Sequence, residues 1–247
     1  MKSLGIIPAR YDSSRLEGKP LADIMGKTMI QRVFEQAYKA MDYTCVATDD
    51  ERIMKAVEAF GGRAVMTSKD HKSGTDRVAE AARVLAESVD FEVVVNIQGD
   101  EPFIEPSDLT KLAQLFNNNK VIIGTAVKRV ENHEEINNPN NVKVVLDDFD
   151  NAIYFSRLPI PYVREKSQNS SYTYWKHIGL YAYRKEVLQE LAQLKQSPLE
   201  LAESLEQLRW IAQGYKISTF ETIHDTIGVD TKEDLERAKE YARIHHL

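Results

Sequence analysis

Short apolar segments alternate with segments of helical periodicity along the first 97 residues, and this alternation constrains the fold more than any other feature. Predicted buried strands lie at 4–7, 44–48, 63–67 and 91–97, and predicted helices lie between them at 28–40, 50–60 and 75–87. In the second of these helices Ile53, Val57 and Phe60 share one face, as an amphipathic helix requires. A chain that passes from strand to strand through a helix builds a parallel sheet covered by helices. The sequence therefore predicts an α/β core of βαβαβαβ order.

The second part of the chain shows a different pattern. After a predicted helix at 106–117 come strands at 121–127, 142–147, 152–156 and 175–184, helices at 185–194 and 198–213, a strand at 215–220 and a last helix from 231. Because short links between strands favour antiparallel pairing, we expect this part to be more antiparallel. A polar loop at 165–171 lies among its strands. The chain contains neither repeats nor a long linker, so we predict a single domain over 1–247, divided into a first half at 1–120, an antiparallel lobe at 121–184 and closing helices at 185–247.

The composition excludes several functional classes. Acidic residues outnumber basic ones by 38 to 32, and the net charge of −6 argues against a general nucleic-acid-binding surface, so any basic site is expected to be a pocket for a small ligand. The single cysteine, Cys45, lies in an apolar run, where we expect a buried thiol; a catalytic nucleophile is the alternative. The sequence has neither the ~20 apolar residues of a membrane span nor a signal-peptide core. We therefore expect a cytoplasmic protein.

A loop rich in positive charge follows the first predicted strand. It carries Arg10, Arg15, Gly18 and Lys19, with two small serines at 13 and 14. Pro8 is expected to end the strand, because proline cannot donate to a central ladder. Fixed cations on a flexible backbone suit a polyanion such as a triphosphate, and a solvated basic loop is the alternative.

Two aspartates follow predicted strands, which is where open α/β sheets bind their ligands. Asp100 comes directly after a very apolar strand, and we expect it to bind Mg²⁺, which prefers oxygen ligands and often takes one or two protein carboxylates. The alternative for Asp100 is a turn aspartate. Asp230 follows another strand-like segment, but Thr231 and Asp234 match a capping box for the last helix, so a capping role is the alternative there.

The segment from His71 to Arg77 opens a predicted helix with a glycine, hydroxyl groups and unpaired helix N–H groups. It suits the base or ribose of a nucleotide; alternatively, Thr75 caps the helix and Asp76 and Arg77 form its solvated first turn. The chain lacks both Gly-x-Gly-x-x-Gly after the first strand and Gly-x4-Gly-Lys-Ser/Thr, which disfavours a dinucleotide dehydrogenase and a P-loop kinase. An Asp-x-Asp sequence at 148–150 matches the metal motif of some glycosyltransferases, but a turn between strands explains it better.

These features belong to motifs that run through almost the whole chain. The motifs are IIPARY at 6–11, SRL at 14–16, GKPL at 18–21, VATDD at 46–50, HKSGTDR at 71–77, VNIQGDEP at 95–102, NNVKVV at 140–145, YFSR at 154–157, HIGLY at 177–181, SPLE at 197–200, LEQLR at 205–209 and GVDT at 228–231. Together they resemble the sugar cytidylyltransferases, and most closely the family that activates 3-deoxy-D-manno-octulosonate (Kdo). Glu17 departs from the family pattern, which often has proline there. The resemblance implies a Rossmann-like nucleotidyltransferase fold with a mostly parallel central sheet, helices on both faces and a smaller antiparallel lobe for dimerisation and sugar binding.

The resemblance also implies a reaction, in which CMP is transferred from CTP to Kdo to give CMP-Kdo and pyrophosphate for lipopolysaccharide biosynthesis. Mg²⁺ is the implied cofactor, held by Asp100 and Asp230, and both residues act in catalysis with Arg15 and Lys19. The implied CTP contacts are Ala9, Arg10, Arg15, Lys19, Ser73, Gly74, Thr75, Arg77 and Asp100. The implied sugar contacts are Gln98, Arg157, His177, Glu206 and Gln207, gathered beside Asp100.

Two alternatives to this reaction stay open at the level of sequence. One is a cytidylyltransferase for a related keto-acid sugar, such as 8-amino-Kdo or a sialic acid, because one or two pocket residues can read a change from hydroxyl to amine. The other is a regulatory module that binds a nucleotide but has lost catalysis. The resemblance further implies a homodimer, without nucleic-acid or membrane partners.

Overall fold

The computed structural model describes residues 1–12, 15–164 and 172–247. The two serines of the basic loop and the polar loop at 165–171 lie outside the described residues. The chain forms two compact units, a first unit of residues 1–113 and 225–247 and a second unit of residues 114–224. The single domain over 1–247 stays a prediction. None of the helices in the described ranges combines the length and the apolar composition of a membrane-spanning helix.

Strands and helices follow one another largely as predicted. The strands are β1 (Ser3–Ala9), β2 (Asp23–Ile24), β3 (Lys27–Thr28), β4 (Tyr43–Thr48), β5 (Ala64–Met66), β6 (Val93–Asn96), β7 (Ile123–Arg129), β8 (Lys143–Leu146), β9 (Ala152–Ser156), β10 (Trp175–Arg184) and β11 (Ser218–Glu221). The helices are α1 (Met29–Tyr38), α2 (Glu51–Ala59), α3 (Gly74–Leu85), α4 (Pro106–Gln114), α5 (His133–Asn137), α6 (Lys185–Leu191), α7 (Pro198–Glu203), α8 (Gln207–Ala212) and α9 (Lys232–Ile244). Short 3-10 turns occur at Lys19–Leu21 and Leu115–Asn117. The hairpin β2–β3, the first 3-10 turn and α5 were not predicted.

A parallel sheet forms the core of the first unit. Its strand order is β6-β1-β4-β5, and each neighbouring pair is parallel. Because β1 has a partner on both sides, Leu4, Ile6 and Ile7 are fully buried, as are Val94 and Val95 of β6. The predicted α/β core is therefore confirmed. The carboxyl ends of β1 and β6 lie side by side in this sheet, which brings together the two loops that the sequence analysis singled out.

Pro8 does not end β1, so that expectation is wrong. The strand continues to Ala9 and remains paired with β4 to its end. Alternate residues of a strand direct their peptide groups to the same neighbour, and the carbonyl of Ile6 accepts a hydrogen bond from the N–H of Ile97 on the β6 side. Pro8 therefore faces that side too, beyond the end of β6 at Asn96. The missing N–H costs no ladder bond because the β1–β6 ladder has already ended.

The second unit is mostly antiparallel, as predicted. Strand β10 pairs antiparallel with β7 and β8, β8 pairs antiparallel with β9, and β11 lies parallel to β7. The single helix predicted at 198–213 is wrong, because the chain forms α7 and α8 instead. Ser204 lies between them with a left-handed φ of 52° and interrupts the helical path. Glu206 and Gln207 consequently stand at the start of a new helix.

Helix α9 packs against the rest of the first unit through an apolar cluster. Thr231 and Asp234 form the capping box that the sequence predicts at its start. The buried members of the cluster are Ile24, Met29, Phe103, Val229, Ala238 and Ala242. Since Val229 is fully buried, the cluster fixes the backbone that carries the neighbouring Asp230.

Candidate active site

A pocket of about 430 Å³ lies in the first unit, where the loops after β1 and β6 meet the start of α3. Its lining contains most of the residues assigned to the nucleotide and metal, namely Ala9, Arg10, Arg15, Lys19, Ser73, Gly74, Arg77, Asp100 and Asp230, together with Gln98. Thr75 is the exception, because its side chain is buried. Residues from four separate segments of the sequence thus surround one cavity.

Two carboxylates and one ammonium group meet in this pocket. Lys19 Nζ donates to Asp100 Oδ2 at 2.8 Å and to Asp230 Oδ1 at 3.0 Å. The guanidinium of Arg15 lies 3.1 Å from the other oxygen of Asp230. The N–H of Val229 donates to the backbone carbonyl of Asp100 at 2.9 Å, so the two acidic segments are also joined through their backbones. Asp230 is not part of the capping box, and its carboxylate faces cations instead.

The backbone of the basic loop is held by a tyrosine and an arginine. Gly18 has a φ of +65°, and its N–H donates to the carbonyl of Tyr11 at 3.1 Å. A Cβ at Gly18 would lie 3.1 Å from the Tyr11 ring, so both the left-handed backbone conformation and the close packing favour glycine at this position. The guanidinium of Arg52 stacks on the Tyr11 ring, 3.2 Å from its centroid. Lys19 follows Gly18 directly and begins the 3-10 turn.

Helix α3 begins at the pocket with a complete capping box. The Ser73 hydroxyl accepts from the N–H of Asp76, and the Asp76 carboxylate accepts from the N–H of Ser73. The alternative in which Thr75 caps this helix is therefore wrong. His71, just before the helix, is held against Glu80 of the next turns. Two reciprocal hydrogen bonds thus hold the helix start, and its N-terminal end favours negative charge.

Arg77 serves an internal contact as well as lining the pocket. Its Nη2 donates to Asp49 Oδ2 at 2.7 Å, and its Nη1 donates to Thr67 Oγ1 at 2.6 Å. Its side chain is only 6 % exposed. The pair ties α3 to the ends of β4 and β5. The alternative of a solvated first turn is wrong for this residue, and a contact with CTP stays a prediction.

The loop after β6 approaches β1 very closely. A Cβ on Gly99 would lie 2.7 Å from the carbonyl oxygen of Pro8, so only glycine fits without a shift of the backbone. Glu101, two residues further on, is buried, and burial together with the neighbouring Asp100 charge raises its pKa to about 8. The sequence analysis missed Glu101, although an acid beside a predicted metal ligand was visible in the sequence.

Two other chemical alternatives do not fit the structure. Cys45 lies inside β4 with 1 % exposure, and desolvation raises the pKa of its thiol to about 12, so it is a buried structural thiol and not a nucleophile. The Asp-x-Asp sequence at 148–150 lies in the turn between β8 and β9, as the sequence analysis favoured. In the described part of the chain, no cluster of three or more His, Cys, Asp or Glu side chains is arranged to hold a metal.

Arg157, assigned to the sugar, lies at the end of β9 in the second unit. Its guanidinium donates to the backbone carbonyls of Glu203 at 2.8 Å, Pro139 at 3.1 Å and Ser204 at 3.3 Å. The Glu203 carboxylate in turn accepts from the Arg157 N–H at 3.0 Å. The buried ammonium of Lys143 donates to the Arg157 carbonyl at 2.6 Å. Arg157 is therefore fixed by both its backbone and its side chain.

His177 and the pair Glu206–Gln207 belong to the same unit. The His177 ring packs between the rings of Phe155 and Tyr181, with centroids 5.0 and 5.3 Å away, and its Nε2 lies 3.1 Å from Thr125 Oγ1. Glu206 is half-buried and Gln207 is buried at the start of α8. The gathering of these residues beside Asp100 stays a prediction. The sequence analysis missed Lys143 and Glu203, because a buried lysine and a helix-end glutamate carry no distinguishing pattern.

The desolvated ring of His177 makes an acid-sensitive contribution to stability. Desolvation lowers the pKa of His177 to about 3 from its ordinary value of 6.5. As the pH falls through 6.5, this side chain therefore binds a proton in the unfolded chain but stays neutral in the folded chain. We expect this group to reduce the free energy of unfolding by about 1–2 kcal/mol between pH 7 and pH 5. Replacing it by asparagine should flatten that part of the profile, measured by urea unfolding at each pH. The exposed His246, replaced in the same way, is the control; equal slopes in both variants would contradict the prediction.

The chain is similar to known proteins over nearly its whole length. A family model described as Cytidylyltransferase matches residues 4–218. The chain is 54 % identical to the 3-deoxy-manno-octulosonate cytidylyltransferase of Parabacteroides distasonis, over 96 % of this chain and 97 % of the relative. It is also 54 % identical to the enzyme of that name from Bacteroides thetaiotaomicron, over 98 % and 99 %. A solved structure of CMP:2-keto-3-deoxy-manno-octonic acid synthetase complexed with CTP superposes with a TM-score of 0.91 at 45 % identity and covers 100 % of both chains. The predicted nucleotidyltransferase fold is confirmed by this similarity.

Proposed function

The chain belongs to the 3-deoxy-manno-octulosonate cytidylyltransferases, within the cytidylyltransferase family, and we propose from this premise that it transfers CMP from CTP to Kdo and releases pyrophosphate. It is a nucleotidyltransferase that forms CMP-Kdo. The relatives are named for Kdo, so 8-amino-Kdo as substrate is not favoured. The observation that carries the proposal is the convergence of Arg15, Lys19, Asp100 and Asp230 in the pocket of the first unit.

The basic side of the pocket suits the triphosphate of CTP. Arg10, Arg15 and Lys19 supply positive charge, and the start of α3 offers the N–H of Gly74 and the positive end of a helix dipole. These groups reduce the repulsion between the nucleotide and an anionic sugar. Arg77 also lines the pocket, and its pairing with Asp49 supports the helix whose first turn faces the cavity.

The acidic side of the pocket suits Mg²⁺. Asp100 and Asp230 already share one cationic group, Lys19, so their oxygens converge on a position where a cation is favourable. Two protein carboxylates, with the remaining positions left to phosphate and water, match the ordinary ligand set of Mg²⁺. When bound, Mg²⁺ supplies charge that lowers the pKa of the attacking sugar hydroxyl and stabilises the departing pyrophosphate.

The reaction requires no covalent intermediate with the protein. The anomeric hydroxyl of Kdo releases its proton to solvent as its oxygen bonds to the α-phosphorus of CTP. The bond between that phosphorus and the oxygen bridging to the β-phosphate breaks, and pyrophosphate leaves on the opposite side. Catalysis then consists of alignment and of charge stabilisation by groups already in place. Arg10 and Arg15 hold the phosphates in this arrangement, and Asp100 and Asp230 hold the metal.

Within the second unit we assign the recognition of Kdo to Arg157, His177, Glu206 and Gln207, and a contact between the sugar and Gln98 stays a prediction. A guanidinium carries five N–H donors, so Arg157 can bind the sugar carboxylate while it keeps its contacts with backbone carbonyls. His177 is neutral at physiological pH, which suits a hydrogen bond with a hydroxyl group. Glu206 and Gln207 supply further hydroxyl partners.

Substitution of Glu206 or Gln207 by alanine is expected to weaken the use of Kdo more than the binding of CTP. A site built to pair with hydroxyl groups leaves polar groups unpaired when one partner is lost, at about 1–3 kcal/mol each. The measurement varies Kdo at saturating CTP and follows CTP binding by calorimetry. Gln213→Ala, on an exposed residue after the same helix, is the matched control. Unchanged Kdo kinetics in both variants would leave the sugar site unassigned.

We further propose a cytoplasmic homodimer. CTP is a cytoplasmic nucleotide, and the second unit carries large apolar side chains at its surface, with Phe149 84 %, Leu158 69 % and Tyr162 86 % exposed. Burial of such residues between two copies would explain them. Sedimentation of the wild-type chain and of Phe149→Ser tests this proposal, since a wild-type monomer would contradict it.

A screen of pyrophosphate release tests the function itself. Four nucleoside triphosphates are each combined with Kdo, 8-amino-Kdo and a sialic acid in the presence of Mg²⁺. We expect release with CTP and Kdo and at least about tenfold less with the other pairs, which corresponds to the 1.4 kcal/mol that one lost contact commonly costs. Binding of CTP without release from any pair would favour the regulatory-module alternative. Preference for another sugar would replace Kdo in the proposal.

A further inference from the structure

Lys19 lies between the two carboxylates that are assigned to the metal. Its ammonium donates to Asp100 and Asp230 at 2.8 and 3.0 Å, and its side chain is only 16 % exposed. The resemblance assigned this residue to the phosphates of CTP. In the structure, however, Lys19 is the cation that both acids share.

The two acids do not depend on Lys19 to stay near each other. The hydrogen bond from the Val229 N–H to the Asp100 carbonyl joins their backbones, and Val229 is anchored in the apolar cluster under α9. The N–H of Asp230 is held by the Asp234 carboxylate at 3.0 Å. Removal of the ammonium would therefore leave two like charges at a fixed separation, which is an unfavourable state that any cation relieves.

The backbone of Lys19 is fixed, whereas its side chain can change conformation and move the ammonium group. Gly18 is held by Tyr11, and the N–H of Ala22 donates to the carbonyl of Lys19 at 3.1 Å, which fixes the 3-10 turn. The four-carbon side chain is flexible and ends in a compact charge that can pair with either a carboxylate or a phosphate. Arg15, with 63 % of its side chain exposed, lies 3.1 Å from Asp230 Oδ2.

We propose that the Lys19 ammonium holds the position of the divalent cation in the metal-free protein, and that metal and ammonium exclude each other there. Binding of the metal displaces Lys19 toward the cavity, where its charge meets the nucleotide phosphates. This inference rests on the proposed function, and it makes metal binding the step that releases a phosphate-binding cation. Before the metal binds, Lys19 stays paired with the two carboxylates. The side of the pocket that would bind the phosphates therefore has one positive charge fewer.

The first experiment measures Mn²⁺ binding without nucleotide, by electron paramagnetic resonance of the free ion. The variants are Lys19→Met and, as a matched control, Lys27→Met, which also removes one lysine from an ion pair in the first unit. We expect Lys19→Met to bind Mn²⁺ at least about tenfold more tightly than wild type, because a competing cation is gone. Lys27→Met should match wild type. Equal affinity in all three proteins would overturn the proposal.

The second experiment uses the wild-type protein and so does not depend on the folding of a variant. Acetylation of each lysine by an excess of an activated ester is followed by mass spectrometry, with and without Mg²⁺. We expect Lys19 to react at least about threefold faster with Mg²⁺, since it leaves its two carboxylate partners, while Lys27 stays unchanged. An unchanged rate at Lys19 would overturn the proposal even if pyrophosphate is released from CTP and Kdo. Failure of that release, by contrast, counts against the proposed function and not against the exchange of cations.

Discussion

Replacing Asp100 or Asp230 by asparagine is expected to lower Mg²⁺-dependent turnover at least about 10²-fold, by analogy with the loss of one preorganised electrostatic stabiliser. Each change removes half of a two-carboxylate ligand set and leaves an amide that binds a hard cation weakly. The fold should be little affected, because the backbone bond between Val229 and Asp100 and the capping box of α9 do not use these carboxylates. Steady-state kinetics over a range of Mg²⁺ concentrations provides the measurement.

The control for these variants is Asp90→Asn, which removes an exposed carboxylate paired with Lys2 on the same unit. It should keep wild-type turnover, and all three variants should keep wild-type thermal unfolding. Turnover within threefold of wild type for Asp100→Asn or Asp230→Asn would remove that residue from the metal site. A loss of thermal stability that parallels the loss of turnover would assign the carboxylate a structural role.

Replacing Arg77 by methionine is expected to destabilise the protein by about 3–5 kcal/mol, the usual cost of leaving a buried charge without its partner. Asp49, with 16 % of its side chain exposed, would lose the guanidinium at 2.7 Å, and Thr67 would lose its donor. For a chain of this size the midpoint of thermal unfolding should fall by about 10 °C. Calorimetry of the ligand-free protein is the measurement, because it excludes any contribution from CTP.

The double variant Arg77→Met with Asp49→Asn separates the two roles of this arginine. If the charge pair accounts for the loss, neutralising its acidic partner should recover most of the stability, since no buried charge is then left unpaired. CTP binding that remains weak in the stable double variant would support a direct contact between Arg77 and the nucleotide. A single variant as stable as wild type would contradict the structural role.

Several parts of the fold followed from local pattern. The alternation of β-rich runs with amphipathic segments predicts β1, β4, β5 and β6 and the helices between them, because each apolar face needs a neighbouring layer to cover it. The capping box of α9 was also readable, since its three-residue spacing depends only on local geometry. The break at Ser204 was not, because the segments on both sides have helical periodicity and only tertiary contacts around Glu203 and Arg157 decide where the chain turns.

The candidate site divides in the same way. The sequence alone identified the charged residues of the candidate site. Ligands bind at the carboxyl ends of strands in a parallel sheet, and the motifs at these strand ends are specific. Which charges pair was decided only by the tertiary structure, since residues up to 211 positions apart, such as Lys19 and Asp230, meet there. The same holds for Arg77, which pairs with Asp49, and for Pro8, whose missing N–H falls beyond the end of a neighbouring strand. Sequence specifies the groups that a chain carries, whereas distance and burial, which set the strength of every electrostatic interaction, exist only in the folded structure.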